Sequence, residues 1–335
     1  MSNKSLSGTI GTIISIVLSV AALGFTGWVI LNRQYVFDQF NVWWYKPSSA
    51  VATITERSGM SSEGKFYFYT SQPAIEGAND FNNNCVRQEA GSAILGCYTN
   101  QNIYIYDVTN AELDGVEEVT AAHETLHAIW ERMSSSDKQS VGSLLETAFA
   151  KINDPKLNER MAYYDRTEPG ERKNELHSIL GTEYSNLGDE LEARYDKYFS
   201  DRSKVVALHN NYEQVFDDLK LQSDALAVEI AALKKTIDSQ IVQYNTEAAS
   251  ISSDVTKLKK DANSVDRTSA TQVNAYNARR QALLDRIDVL DELRVTINAQ
   301  TDTYNAKVVE YNKLVVTTNN LNKSLDSTLS PAPSL

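Results

Sequence analysis

The chain has 335 residues, of which 42% are hydrophobic and 23% are charged, a composition typical of a folded protein. Its formal net charge of −12 argues against nucleic acid as a partner, because nucleic-acid phosphates are bound by basic surfaces. Binding to an acidic membrane surface is disfavoured for the same reason. All fourteen glycines lie between Gly8 and Gly188, and residues 189–330 contain neither Gly nor Pro, which predicts a domain boundary near residue 200.

The N-terminal segment is apolar enough to cross a membrane. No charged residue occurs between Lys4 and Arg33, and residues 10–31 are long enough to span a bilayer. A cleaved signal peptide is the alternative, with a small-residue site at 22–24, but the apolar run continues to Leu31. We therefore expect an uncleaved, single-pass membrane anchor.

Three short runs rich in aromatic and β-branched residues are predicted to be strands. They are residues 65–70 (KFYFYT), 93–98 (AILGCY) and 102–108 (NIYIYDV). Only three residues, 99–101, separate the last two, which predicts a β-hairpin.

Cys85 and Cys97 are the only cysteines in the chain. A disulfide between them would close a short loop and contribute about 3 kcal/mol to stability. Such a bond favours an oxidising, extracytoplasmic compartment for this part of the chain. Two buried, reduced thiols in a cytosolic domain are the alternative.

The central motif is HExxH, formed by residues 123–127 (HETLH). Residues 116–133 have apolar side chains at three- and four-residue steps, which predicts a helix. On a helix, His123 and His127 lie one turn apart on one face and can reach one Zn²⁺ together. Glu124 is displaced to the side of that pair, where its carboxylate can act as general base on a water molecule. Two satisfied core or surface histidines are the alternative interpretation.

Two histidines leave a tetrahedral zinc short of one protein ligand. The metzincin extension HExxHxxGxxH is excluded, because Trp130 stands at the Gly position and Met133 at the last His position. Further helices are predicted over residues 134–149 and 171–181, the segment between them being interrupted by Pro155 and by Pro169-Gly170.

Residues 174–178 (NELHS) resemble the NExxS motif of gluzincins, the thermolysin-like zinc peptidases, and Gly181 completes a pattern similar to ExxAxxG. The resemblance covers about residues 60–200 and implies that Glu175 is the third zinc ligand. The alternatives for this ligand are Glu171, Glu183 and His177. An Asp that often follows the small residue in gluzincins, and orients a histidine, is replaced by Ile179. The residues that could substitute for it are Asp165, Glu183 and Asp189.

The resemblance also implies a reaction. Zinc would polarise a peptide carbonyl, while Glu124 would take the proton of the attacking water and pass it to the leaving amine. The candidate donors to the resulting oxyanion are Tyr163, Tyr164, His177 and Tyr184. By resemblance to zincins, the strand over residues 102–106 would pair with an extended substrate.

The C-terminal part carries two heptad patterns. The first runs from Leu226 to Leu258 and contains an extra four-residue step from Ile237 to Ile241, which predicts a stutter. The second runs unbroken from Tyr276 to Val315 and includes Arg280 and Arg294. We expect two helices of about 55 residues, folded back at a polar turn over residues 261–269 into an antiparallel hairpin roughly 80 Å long. One continuous dimeric rod is the alternative.

The sequence thus predicts an α+β protein in five parts. They are a transmembrane anchor (1–34), a linker (35–60), a zincin-like catalytic domain with a short sheet (61–203), a coiled-coil hairpin (204–328) and a disordered tail (329–335). The expected function is that of a zinc metallopeptidase held in the cell membrane with an extracytoplasmic catalytic domain. The expected substrate is a peptide or protein, and the coiled coil would self-associate or bind a protein partner. The alternative is a membrane-tethered scaffold whose zincin-like domain binds a partner without cutting it.

Overall fold

The computed structural model describes residues 4–86 and 93–329. The chain divides into two compact units. The first contains Met1–Val215 together with Leu321–Leu335, and the second is Phe216–Asn320. Apart from Leu329, the predicted disordered tail lies outside the described residues.

The first unit is mostly helical and contains one small sheet. Its elements in chain order are α1 (Lys4–Leu31), α2 (Arg33–Trp44), α3 (Ser49–Arg57), α4 (Ser62–Thr70), β1 (Ala74–Glu76), α5 (Ala78–Asn84), β2 (Gly96–Thr99), β3 (Asn102–Tyr106), α6 (Val116–Arg132), α7 (Ser135–Phe149), α8 (Pro155–Thr167), α9 (Arg172–Glu183) and α10 (Asp189–Tyr195). The unit also includes the beginning of α11 (Ser203–Asp261) and the end of α12 (Ala270–Leu325).

The sheet has the order β1-β3-β2. β2 and β3 form the predicted antiparallel hairpin, in which Cys97 is opposite Tyr104. Asn100 and Gln101 form its two-residue turn with positive φ angles of 51° and 66°, as hairpin turns of this length require. The sequence did not predict β1, which pairs in parallel with the other side of β3.

The predicted strand over residues 65–70 is wrong, because this segment belongs to helix α4. The side chain of Ser61 caps the helix by accepting a hydrogen bond from the Gly64 amide. Gly64 and Phe68, four residues apart, are buried on one face. A Cβ at position 64 would collide with the Tyr198 carbonyl oxygen. The close packing of α4 against this backbone outweighs the strand preference of its aromatic residues.

Two further segments are more ordered than the sequence indicated. Residues 35–60, predicted to be a linker, contain most of α2 and all of α3, and Val51 and Ile54 belong to the buried core. Pro155 begins α8, where its missing N–H costs nothing, and the Asp154 carboxylate caps that helix. The predicted interruption is therefore a helix start.

Helix α1 contains one stretch, Gly11–Leu31, that is long and apolar enough to cross a membrane, and its most apolar window is not buried inside the unit. The core of the first unit lies elsewhere, between α6, α9 and the helices around them. It includes Phe68, Leu126, Leu176 and Tyr195, all fully buried.

The second unit consists of the middle parts of α11 and α12, which are 59 and 56 residues long as complete helices. Ion pairs join Glu229 of α11 to Lys307 of α12 and Asp261 of α11 to Arg279 of α12. The two helices are therefore antiparallel. The predicted antiparallel hairpin is confirmed, and the continuous rod is wrong.

The predicted four-residue step from Ile237 to Ile241 is also wrong. Ile241 is 41% exposed, and its neighbour Gln240 occupies the position between the helices. The seam therefore passes through Ile237, Gln240 and Tyr244, and Gln240 is a polar residue within it. On α12, Arg280 and Arg294 are likewise exposed. Arg286 lies at the seam instead, bound to Glu247 and Asp254 of α11.

Candidate metal centre

Helix α6 presents the HExxH residues as the sequence predicts. It begins after Gly115, whose φ of 98° favours glycine, and it ends at Arg132. Val119, Ala122, Leu126 and Ile129 of the predicted apolar stripe are buried in the core. This burial fixes the rotation of α6 about its axis.

Helix α9 packs closely against α6 and brings the third candidate ligand to the histidines. Its buried residues include Leu176, Ile179 and Leu180. At Gly181 a Cβ would collide with the side chain of Leu126, so glycine permits the close approach of the two helices. Glu175, in the first turn of α9, is consequently directed at the HExxH face.

His123, His127 and Glu175 form one compact group, which we call the His–His–Glu cluster. The two histidine Nε2 atoms are 3.1 Å apart. The Glu175 carboxylate oxygens lie 3.5 Å from Nε2 of His127 and 3.9 Å from Nε2 of His123. Ligand atoms around a tetrahedral zinc are separated by about 3.4 Å, because each sits about 2.0–2.1 Å from the metal. The cluster could hold a metal ion.

One oxygen of the Glu175 carboxylate is buried in a way that favours a cation in the cluster. Oε2 is inaccessible to solvent and has no hydrogen-bond partner among the described residues. An uncompensated buried carboxylate oxygen is costly, and a cation between it and the two imidazoles would remove that cost. The donor set of two imidazoles and one carboxylate is one that zinc accepts. The residues present therefore fit the ion.

Asn174 orients one of the histidines. Its Oδ1 lies 2.9 Å from Nδ1 of His127, and its Nδ2 donates to Glu171. With the amide nitrogen engaged by Glu171, the amide oxygen accepts from Nδ1–H and leaves the Nε2 lone pair free to face the cluster. This orienting role of Asn174, the first residue of the NExxS motif, was not predicted from the sequence. Glu171, an alternative ligand in that analysis, instead positions Asn174.

In the described part of the chain, none of the three residues predicted as substitutes for the orienting Asp has a histidine of the cluster as its partner. Asp165 pairs with Arg172, and Glu183 pairs with Arg160. Asp189 lies exposed in the first turn of α10.

Glu124 is buried beside the cluster and against the edge of the sheet. Its carboxylate receives a hydrogen bond from the backbone of Tyr98 in β2. Burial raises the pKa of Glu124 to about 7, and the nearby Glu175 carboxylate adds to the rise. A Cβ on Gly96 would lie only 3.0 Å from Oε1 of Glu124, so this glycine lets the strand run alongside the carboxylate.

The pKa values of the two histidines are shifted in opposite directions. Burial lowers the pKa of His123, and His127 adds to the effect. For His127 burial also opposes protonation, but the carboxylates of Glu175 and Glu124 outweigh it and raise its pKa.

The four candidate oxyanion donors differ in their surroundings. Tyr164 is largely buried, and burial together with the carboxylates of Glu175 and Glu124 raises the pKa of its hydroxyl. Tyr163 has the guanidinium of Arg166 over its ring. The Tyr184 hydroxyl donates to Asp154, at 2.6 Å. The carboxylates of Glu175 and Glu124 thus act on the hydroxyl of Tyr164, whereas the pKa of Tyr184 is raised by burial and by Asp154.

His177 is packed between two aromatic rings. Its ring lies between those of Trp130 and Tyr195, with centroids 5.4 Å from each. Burial lowers the pKa of His177 to about 3, so the ring is neutral. It stands two residues from Glu175 and therefore on another side of α9. Glu183, the remaining alternative ligand, is held by Arg160.

Arg160 is a further residue near the cluster that no sequence motif indicated. Its positive charge helps to lower the pKa of His123, which places the guanidinium within electrostatic range of that ring. Glu183 holds Arg160 through two hydrogen bonds, one of 2.8 Å. Arg160 belongs to α8, a helix that the sequence did not predict.

The strand beside α6 with a free edge among the described residues is β2, not β3. β3 (Asn102–Tyr106), predicted to pair with substrate, lies in the centre of the sheet and is bonded to β1 and β2. β2 is the strand that contacts α6 beside Glu124, and its other side is unpaired among the described residues.

Cys85 and Cys97 form the predicted disulfide. It ties the end of α5 to the middle of β2, one residue from Gly96. The bond therefore restrains the strand that flanks Glu124.

No family model, no curated protein and no solved structure matches this chain. The resemblance to gluzincins is carried by the HExxH and NExxS residues of the sequence.

Proposed function

We propose that this protein is a membrane-anchored, zinc-dependent metallopeptidase with a gluzincin-like arrangement of site residues. The observation that carries the proposal is the position of Glu175. Its buried carboxylate directs the unpartnered Oε2 at Nε2 of His123 and Oε1 at Nε2 of His127. A helix with two ordinary core histidines would not require a buried acid from a second helix.

His123, His127 and Glu175 would hold the zinc ion, and Asn174 would keep His127 in the tautomer that binds it. Bound there, zinc would supply Lewis-acid polarisation of a peptide carbonyl and of a water molecule. Glu124 would accept a proton from the attacking water on its carboxylate and then deliver it to the nitrogen of the departing amine. Tyr164 is our candidate for the donor to the carbonyl oxygen as charge develops there.

The sheet edge supports a peptide as the substrate class. β2 runs past Glu124 with no strand paired to its outer side among the described residues. Its Tyr98 backbone bonds to Glu124, and an extended peptide could add to the rest of this edge as another strand. Such pairing would place a backbone carbonyl beside the cluster without requiring a particular side chain.

The proposed location is the cell membrane, with α1 as an uncleaved single-pass anchor. The disulfide between Cys85 and Cys97 supports an extracytoplasmic position for the catalytic unit. The coiled-coil hairpin would then extend into the same compartment, available to a protein partner or to a second copy.

The test combines metal analysis with proteolysis of denatured, fluorescein-labelled casein by the full chain in detergent. We expect one zinc per chain, with Glu124→Gln keeping the metal and losing cleavage, and Glu175→Ala losing both. Glu159→Gln, an exposed substitution on α8, is the matched control and should change neither. Zinc retention without cleavage by the unaltered chain would favour the scaffold, whereas cleavage by Glu124→Gln at the unaltered rate would overturn the assigned mechanism.

A further inference from the structure

Helix α2 is attached to the first unit through one face. Asp38, Asn41 and Tyr45 follow one another at three- and four-residue steps, so they lie on the same side of the helix. The Thr70 hydroxyl donates to the Asp38 carbonyl oxygen at 2.9 Å, and the Asn41 amide donates to the Thr70 carbonyl oxygen. The Tyr45 hydroxyl donates to the Pro73 carbonyl oxygen at 2.6 Å. These bonds fix the orientation of α2.

The opposite side of α2 exposes four large aromatic side chains, which we call the aromatic face. Their exposed fractions are 62% for Phe37, 53% for Phe40, 75% for Trp43 and 75% for Trp44. Twelve residues of helix thus present more aromatic surface than a water-facing helix normally carries. Tryptophan in particular is enriched where proteins meet the headgroup layer of a bilayer.

The charges around this face also fit a bilayer interface. Asp38 is the only acidic residue in the segment 32–48, and it is 3% exposed and paired with Arg132 at 2.9 Å. The other charged residues of that segment are Arg33 and Lys46, one at each end. In a chain with a net charge of −12, α2 therefore exposes no negative charge of its own.

The aromatic face is continuous with the candidate membrane span. That span ends at Leu31, and α2 begins at Arg33. The ring of Trp28, in the last turn of α1, contacts Tyr35 in α2 with centroids 6.5 Å apart. A helix that begins two residues after a membrane span starts at the level of the lipid headgroups.

From these observations we infer that the aromatic face of α2 lies in the headgroup region of the bilayer that α1 crosses. This inference rests on the proposed anchoring by α1. Because Asp38 pairs with Arg132, the last residue of the metal-site helix α6, the lipid contact would hold that helix at a set distance from the membrane. The substrates reached most readily would then be peptide segments close to the membrane surface.

The test is tryptophan quenching by brominated phosphatidylcholine in vesicles that hold the full chain. A Trp28→Phe background removes the tryptophan of α1 and leaves Trp43, Trp44 and the buried Trp130. We expect bromines near the headgroups to reduce emission more strongly than bromines at mid-bilayer. Adding Trp43→Phe and Trp44→Phe should abolish the quenching, because Trp130 lies inside the folded unit. These exposed Trp-to-Phe changes disturb no buried contact, so folding is preserved.

Alkaline carbonate extraction of the same vesicles distinguishes failure of the docking by α2 from failure of the anchoring by α1. A chain that stays in the membrane, with emission unaffected by either brominated lipid, would overturn docking by α2 and leave the anchor intact. A chain released by carbonate would overturn the anchor, and the docking inference with it. Retention with shallow quenching supports both.

Discussion

The Nδ1 atom of His127 and the Oδ1 atom of Asn174 are 2.9 Å apart, although 47 residues separate them in the chain. The contact joins the HExxH helix to the NExxS helix outside the His–His–Glu cluster itself. It supplies the orienting partner that Ile179 cannot provide.

Loss of the Asn174 acceptor should weaken metal binding. We expect Asn174→Ala to lower zinc affinity by about 10- to 100-fold, the range seen when such orienting partners are removed. Asn174→Asp keeps an acceptor at the same place and should retain most of the affinity. Competition with a chromophoric chelator measures the effect, and Asn158→Ala, an exposed change on α8, is the control. Equal affinities for the Ala and Asp variants would contradict the orienting role.

A side chain at position 96 should separate β2 from the metal-site helix. The Cβ of Gly96→Ala would lie 2.5 Å from Cγ2 of Thr120 and 2.9 Å from Cγ of Glu124. We expect casein cleavage to fall while zinc content is unchanged, because the overlap displaces Glu124 and the substrate edge but no ligand. Gly77→Ala, where nothing lies within 4 Å of the added atom, should cleave normally. Normal cleavage by both variants would show that this edge is not part of the site.

Replacing only one partner of the ion pair between Arg132 and Asp38 should lower the stability of the protein. Both side chains are buried, with exposures of 7% and 5%. Arg132→Met leaves a buried carboxylate without its partner, and we expect a loss of about 3 kcal/mol or more in the free energy of unfolding.

Removing both charges should recover much of that loss. The double variant Asp38→Asn with Arg132→Met carries no unpaired buried charge, so its denaturation midpoint should lie above that of the single variant. Lys220→Met breaks the exposed pair with Asp224 and should cost at most about 1 kcal/mol. A single variant as stable as this control would refute the prediction. Urea unfolding of the full chain in detergent, followed by circular dichroism, measures all three.

The polar residues at the coiled-coil seam should lower its stability. Gln240 and Gln300 each have a buried Oε1 atom with no hydrogen-bond partner among the described residues. We expect the combined changes Gln240→Leu and Gln300→Leu to raise the thermal midpoint, because an unsatisfied buried polar group costs about 1–3 kcal/mol. Gln243→Leu, at an exposed position of the same helix, should give no gain. An unchanged midpoint in the double variant would show that these amides are satisfied in solution.

The features that the sequence predicted correctly depend on local spacing. The four-residue step from His123 to His127 places both rings on one side of any helix, and the apolar stripe of α6 determines which side is buried. The hairpin of β2 and β3 follows from two short runs joined by a tight turn, and the two long helices follow from heptads without Gly or Pro. Local patterns failed where packing reversed a preference, as in α4, or where a polar residue occupied a seam position, as at Gln240.

The tertiary structure decided which distant side chains reach the HExxH face. Four residues were possible third ligands by sequence, and the packing of α9 on α6 brings Glu175 to the histidines while Arg160 holds Glu183 and two rings enclose His177. The same packing selects Asn174 as the orienting residue and makes β2 the free edge. Helical periodicity states which residues share a face, but the rotation and separation of two helices depend on how their side chains interlock, as they do at Gly181 and Leu126.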